Sequence, residues 1–153
     1  MAIDLDTLRE LRIRQVRVFL SDFPYKNRLL GTEESDRDDI ELALDLSVDN
    51  FNNAEVPKTS FALANFPSLR VLIYGAVIEL LTMKGILYSR NRLNYSDGGI
   101  QVAVNDKAPE YTQWLNAMLR TNERLTANLK LSLNVANAWG GVPSEYATTD
   151  YWY

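Results

Sequence analysis

The chain has 153 residues, no cysteine, no histidine and a formal net charge of -4. Lacking both residue types, it has no thiol nucleophile, disulfide or zinc–thiolate site, no imidazole base, and no Ser-His-Asp or Cys-His arrangement. At 46% hydrophobic and 24% charged residues it is composed like an ordinary globular domain, and its acidic balance argues against a surface that binds nucleic acid all over.

The opening MAIDLDTLRE is acidic and then amphipathic, unlike a secretory signal, so an intracellular product is expected. Residues 6–21 predict a first helix. Leu8, Leu11, Ile13, Val16, Phe19 and Leu20 broadly follow helical spacing, and Asp6 or Thr7 can cap it, with Glu10 completing a capping box. The run at 13–18 also alternates as a strand would; helix is the preferred reading. Arg9, Arg12, Arg14 and Arg17 crowd this segment. They read first as a solvated helix face, and the functional alternative is a basic stripe facing DNA or an acidic partner. Residues 22–31 form a loop, because Pro24 disfavours helical geometry at Phe23 and Gly31 suits a turn. Ser35 then reads as the N-cap of a second helix, with Asp36, Asp38 and Asp39 in the first turn, where the helix dipole favours anions. Ile40, Leu44, Val48 and Phe51 make its buried stripe. The aspartates lack the glycine and terminal glutamate of a calcium-binding loop, so no metal is expected.

Residues 52–65 make a loop of a length that usually marks a lid, a contact loop or an irregular segment. Residues 66–83, FPSLRVLIYGAVIELLTM, are the most apolar run in the chain, and between Leu69 and Leu81 only Arg70 and Glu79 are charged. A central helix packed on several sides is expected, continuing to Tyr88. It is too short and interrupted to cross a bilayer, so no membrane partner is expected. Gly75 and Gly85 each cost a helix about 1 kcal/mol relative to alanine, and both mark places where a neighbour can come close. Glu79, if buried, needs a partner such as an arginine.

Residues 93–104 change character. Asp97-Gly98 is a hairpin turn signal, and Ile100, Val102 and Val104 alternate as in a half-buried strand. Gly98 and Gly99 lack the helix and the Lys-Ser/Thr that follow a phosphate-binding loop. Asp106 is expected to cap a last helix, with Pro109 tolerated in its first turn. Along it Tyr111, Leu115, Met118, Asn122, Leu125, Leu129 and Leu133 recur at near-heptad spacing with one polar position, Asn122, and Trp114 widens the apolar face. The seam is expected to pack antiparallel on the central helix, and its excess length can meet a neighbouring subunit. Gly140-Gly141 and Pro143 forbid its continuation. The segment 139–153 holds Trp139, Tyr146, Tyr151, Trp152 and Tyr153. Disordered termini are poor in aromatics and interface hot spots are rich in them, so it reads as an extended docking tail for another chain, with folding back on its own domain as the alternative. The expected fold is mainly α: a helical bundle of about four helices around a central apolar helix, in a domain at 1–138, with a small β-hairpin near 93–104 and the tail at 139–153. The one enzymatic reading left is two-carboxylate chemistry by Glu79 with Glu110 or Asp97, as in glycoside hydrolysis. No motif supports it, and neither an enzyme nor a cofactor is expected.

Within this order of elements lies a pattern of residues. It comprises Val16-Arg17, Phe19-Leu20, Asp22, Pro24, Asn27 and Leu29-Leu30, then Glu34-Ser35-Asp36, Asp39-Ile40 and Phe51-Asn52. Further on come Arg90-Asn91-Arg92-Leu93, Tyr95-Ser96-Asp97-Gly98-Gly99, Val102, Lys107 and Tyr111. In pattern and order the chain resembles the head-to-tail adaptor proteins of tailed bacteriophages (neck, connector or head completion proteins) over about residues 5–133. The resemblance implies a virion structural protein, assembled in the host cytoplasm and located in the neck. It implies a homo-oligomeric ring, usually of twelve copies, that binds beneath the portal, extends the DNA channel and offers a platform to the tail or the next neck protein. Tyr95, Asp97, Gly98 and Gly99 of the hairpin, with the aromatic tail, would then be candidate subunit or partner contacts. DNA contact would be passive, and an acidic lumen would let DNA slide. Two other classes stay open. A different neck or tail-completion protein, such as a tail terminator, would be richer in strand; a helical DNA-binding module using the arginine stripe would bind with strong salt dependence.

Overall fold

In the computed structural model the described residues are 4–27, 31–54, 58–90, 96–97, 100–101 and 108–139. They are mainly helical: α1 (Leu5–Leu20), α2 (Arg37–Asn53), a short 3-10 turn (Leu63–Asn65), α3 (Leu69–Arg90) and α4 (Ala108–Trp139). Helix is the outcome for the ambiguous run at 13–18, because Ile13 and Val16 are then both buried in the core while Arg14 and Val18 face out.

The predicted N-caps of α1 and α2 are displaced, and Asp106, the predicted cap of the last helix, lies outside the described residues. Asp4 holds the cap position of α1 without a side-chain bond, leaving Thr7 and Glu10 inside the helix. Glu10 instead pairs with Arg37 on α2. Asp36, not Ser35, holds the cap position of α2, again without a side-chain bond. Ser35 is buried, and its backbone N–H donates to Asp22. The predicted stripe of α2 points inward, with Ile40, Leu44 and Phe51 buried and Val48 packed at the core's edge.

α3 is central through its first half. Val71, Leu72, Ile73, Ala76, Val77, Ile78 and Leu80 are all buried, and the helix contacts α1, α2 and α4. Its later residues Ile86 and Leu87 are exposed. The core joins Ile13 and Val16 to Ile40, Ala43 and Leu44 and to Leu72, Val77 and Leu80. Each of the valine, leucine and isoleucine side chains contributes roughly 1.5–3 kcal/mol by leaving water. The two glycines of α3 part company. A Cβ at Gly75 would lie 2.1 Å from Ser47 Oγ, so α2 and α3 touch there, whereas one at Gly85 would meet nothing within 4 Å.

Asn52 ties down the long connection from α2 to α3. Asn52 Oδ1 accepts from Thr59 Oγ1 at 3.0 Å and from the Phe61 N–H at 2.9 Å, while its Nδ2 donates to Phe61 O at 2.8 Å. Phe61 and Phe66 then pack on Phe51. Asn52→Ala is therefore expected to lower the unfolding free energy by about 2 kcal/mol through orphaned polar groups. A urea titration would show this as a lower midpoint at unchanged slope; an unchanged midpoint would contradict it.

On α4 the predicted seam is only half-buried at Leu115, Met118, Asn122, Leu125, Leu129 and Leu133, and Trp114 is 68% exposed. Lys130 is the one fully buried side chain among those described on this helix. Trp139 is the last residue of α4 and not part of an extended tail, since the helix runs up to the Gly140-Gly141 pair. Ser96 and Asp97 pair antiparallel with Gln101 and Ile100. The predicted hairpin at 93–104 falls otherwise on residues 93–95, 98–99 and 102–104, which lie outside the described residues, as do residues 140–153. No helix among the described residues is long and apolar enough to cross a membrane.

Candidate functional site

Two constellations stand out, a buried polar clamp between α1 and α2 and a cleft bounded by α2, α3 and α4. The clamp is built on Asp22, directly after the left-handed residue Ser21 that ends α1. Its Oδ1 accepts from the Glu34 N–H and from Asn27 Nδ2, both at 2.7 Å, and its Oδ2 accepts from the Ser35 N–H at 2.9 Å. Arg17, one turn back on α1, reaches Asp22 at 3.6 Å and Glu33 at 2.8 Å. Burial alone pushes the Asp22 carboxyl up. The donated backbone N–H groups of Glu34 and Ser35, the Asn27 amide and the Arg17 guanidinium outweigh it and hold the pKa below the ordinary aspartate value. Lys84 of α3 closes the arrangement by donating to Glu34 O at 2.8 Å and to Asp39 at 3.2 Å.

The four arginines of α1 do not make one basic stripe. At about 100° per residue Arg12 and Arg14 lie on opposite sides of the helix. Arg17 is buried in the clamp, and Arg9 is paired with Glu41 at 3.5 Å and Asp45 at 3.3 Å on α2. Arg12 donates to Gln15 at 3.0 Å, and Arg14 is exposed. Glu79 also finds a different partner from the one expected. It is half-buried and accepts from Asn50 Nδ2 at 2.7 Å, an amide serving where an arginine was expected.

The cleft encloses about 730 Å³. Phe51, Val71, Ile78 and Leu119 give it an apolar floor, and Asn50, Glu79, Glu123 and Asn134 a polar rim. Lys130 closes one side. Its ammonium lies 4.9 Å from the Phe51 ring centre and donates to Ala54 O at 3.2 Å and Asn52 O at 3.4 Å. Burial lowers its pKa. A buried lysine beside the apolar seam and not on it is what sequence spacing misses; only the carbonyls at the end of α2, brought close by the fold, reveal it. Eight residues earlier on the same helix, Asn122 Oδ1 is buried without a hydrogen-bond partner among the described residues.

No family model, curated protein or solved structure matches this chain. Of the residues singled out on sequence grounds, Tyr95, Gly98, Gly99, Tyr146, Tyr151, Trp152 and Tyr153 lie outside the described residues. Asp97 is placed by its backbone pairing alone, and Trp139 by its position at the end of α4. The side chain of Glu110 is likewise outside, so its distance from Glu79 is not defined. Among the described residues no three acidic side chains come together as a metal-ligand cluster.

Proposed function

We propose that this protein is a head-to-tail adaptor of a tailed bacteriophage, a structural subunit that rings the DNA channel beneath the portal. One observation carries the reading. Arg17, Asp22, Asn27, Glu34 and Ser35, separate letters in the pattern that resembles the adaptors, meet in a single clamp around the Asp22 carboxylate. A chance likeness of letters has no reason to converge on one buried network, whereas a pattern set by a shared fold does. The helical character of the chain also favours an adaptor over a strand-rich tail terminator, and the intramolecular pairing of Arg9 and Arg17 disfavours a DNA-binding stripe.

In this reading the helices form a bundle around α3 and stand side by side around the ring. A hairpin spanning about 93–104 and the aromatic segment that follows α4 reach the portal or a neighbouring subunit, by strand addition and by aromatic anchoring. The half-buried seam of α4 supplies apolar area for a neighbour. Electron microscopy of the protein mixed with the portal ring of the same phage tests the proposal. A second ring stacked coaxially on the narrow end of the portal is the expected image; portal rings unchanged in outline would contradict it.

A further inference from the structure

We propose that a second copy of this chain seats its α1 in the cleft between α2, α3 and α4, so that subunits join head to tail. The inserted element is a ridge made of Leu11, Arg14 and Val18. At about 100° per residue the three lie within about 60° of one another on the outer side of α1. All are exposed, Leu11 by 44% and Val18 by 56%. Arg9, Arg12 and Arg17 have partners within the molecule, whereas Arg14 pairs with no other described residue. An unpaired cation between two bare apolar side chains, spaced by three and four, is the form in which a helix enters a groove.

The cleft answers this ridge in charge and in shape. Its apolar floor suits Leu11 and Val18, and its rim carries Glu79 and Glu123. The cation in its lining, Lys130, already donates to the Asn52 and Ala54 carbonyls. Two carboxylates against that ammonium leave the lining acidic, and complementary charge of this kind fixes partner and register. Asn122 Oδ1 is a buried acceptor without a donor among the described residues, and the five N–H groups of an arginine can supply one. The lining runs along α4 from Leu119 to Asn134, about 22 Å, and the ridge covers about 10 Å of α1, so it fits within that length. No described residue of α1 lines the cleft. Ridge and cleft are therefore separate patches, and filling one leaves the other free on the same copy. Such a contact is heterologous and closes into a ring when the rotation allows. The proposal deepens the adaptor reading by naming a contact between its subunits, and its test needs no portal, so either can fail without the other.

Sedimentation velocity over a range of concentrations tests this with two variants at exposed positions. Arg14→Glu spoils the ridge, and Ala127→Trp fills the cleft. The wild type is expected to grow beyond dimers as concentration rises, and each variant alone to stay a monomer. An equimolar mixture of the two variants retains one sound ridge and one sound cleft, so it is expected to give a 1:1 dimer and nothing larger. That restored dimer also shows that both variants are folded. A wild type that stays monomeric or stops at dimers would overturn the proposal. So would variants that associate as the wild type does, or a mixture that remains monomeric.

Discussion

Asp22→Ala lowers the unfolding free energy by about 3–5 kcal/mol, the range for removing one partner of a buried ion pair. The substitution strips acceptors from the Glu34 and Ser35 N–H groups and from the Asn27 amide, and leaves buried Arg17 with Glu33 alone. Against a typical total of about 5–15 kcal/mol this is a large fraction. Urea unfolding followed by far-ultraviolet circular dichroism reads it directly. Asp22→Asn keeps one acceptor and the volume, so it falls between the wild type and the alanine variant. The same residue sets an acid limb. Because its folded pKa is lowered, its contribution is fully present above the ordinary aspartate value of about 3.9 and is lost as pH falls through that value to the native one. The part of acid destabilisation due to Asp22 disappears in the alanine variant; an identical acid profile in the two proteins would contradict the clamp.

Gly75→Val costs about 3 kcal/mol, at the upper end for overpacking a closed interior contact. The first added carbon alone would lie 2.1 Å from Ser47 Oγ, and Ser47 is held in place by its bond to Leu72 O. Pairing Gly75→Ala with Ser47→Ala gives the control. Removing the hydroxyl relieves the shortest contact but leaves the Ser47 Cβ at 3.0 Å, so the double variant recovers part of the loss and not all of it. Strict additivity of the two single effects in the thermal midpoints would show that α2 and α3 do not meet there. By contrast Gly85→Ala meets no atom. It stabilises the helix by the usual propensity difference of about 1 kcal/mol.

How far the sequence could be read depended on whether a feature was local. Apolar spacing placed the inward face of α2, where Ile40, Leu44 and Phe51 need only periodicity to be recognised, and the sheer apolar density of the run through Leu80 marked α3 as central. What needed a distant partner was not legible. Ser35 looked like a cap because it precedes an acidic helix start, but Asp22, thirteen residues earlier, takes its N–H. Arg17 looked like surface charge and is the interior half of the clamp. Thr7 and Glu10 had the spacing of a capping box, yet Arg37 from α2 claims Glu10. The heptad seam of α4 was a partial guide. Its apolar positions are only half-covered, and the deepest residue of the helix is Lys130, whose burial depends on the carbonyls of Asn52 and Ala54. The proposed site has the same character, its pattern being readable in sequence and its convergence visible only once α1 and α2 are folded together.

Native mass spectrometry of the purified chain, alone and mixed with the portal ring of the same phage, tests the adaptor reading most directly. The account predicts portal assemblies carrying about a dozen copies, the implied ring stoichiometry for a closed, symmetric interface. Deletion of 140–153 then sorts the tail's role, with loss of loading placing the portal contact in the tail and retained loading placing it on the helical domain. A chain that stays unbound at every ratio of subunit to portal would contradict the adaptor reading.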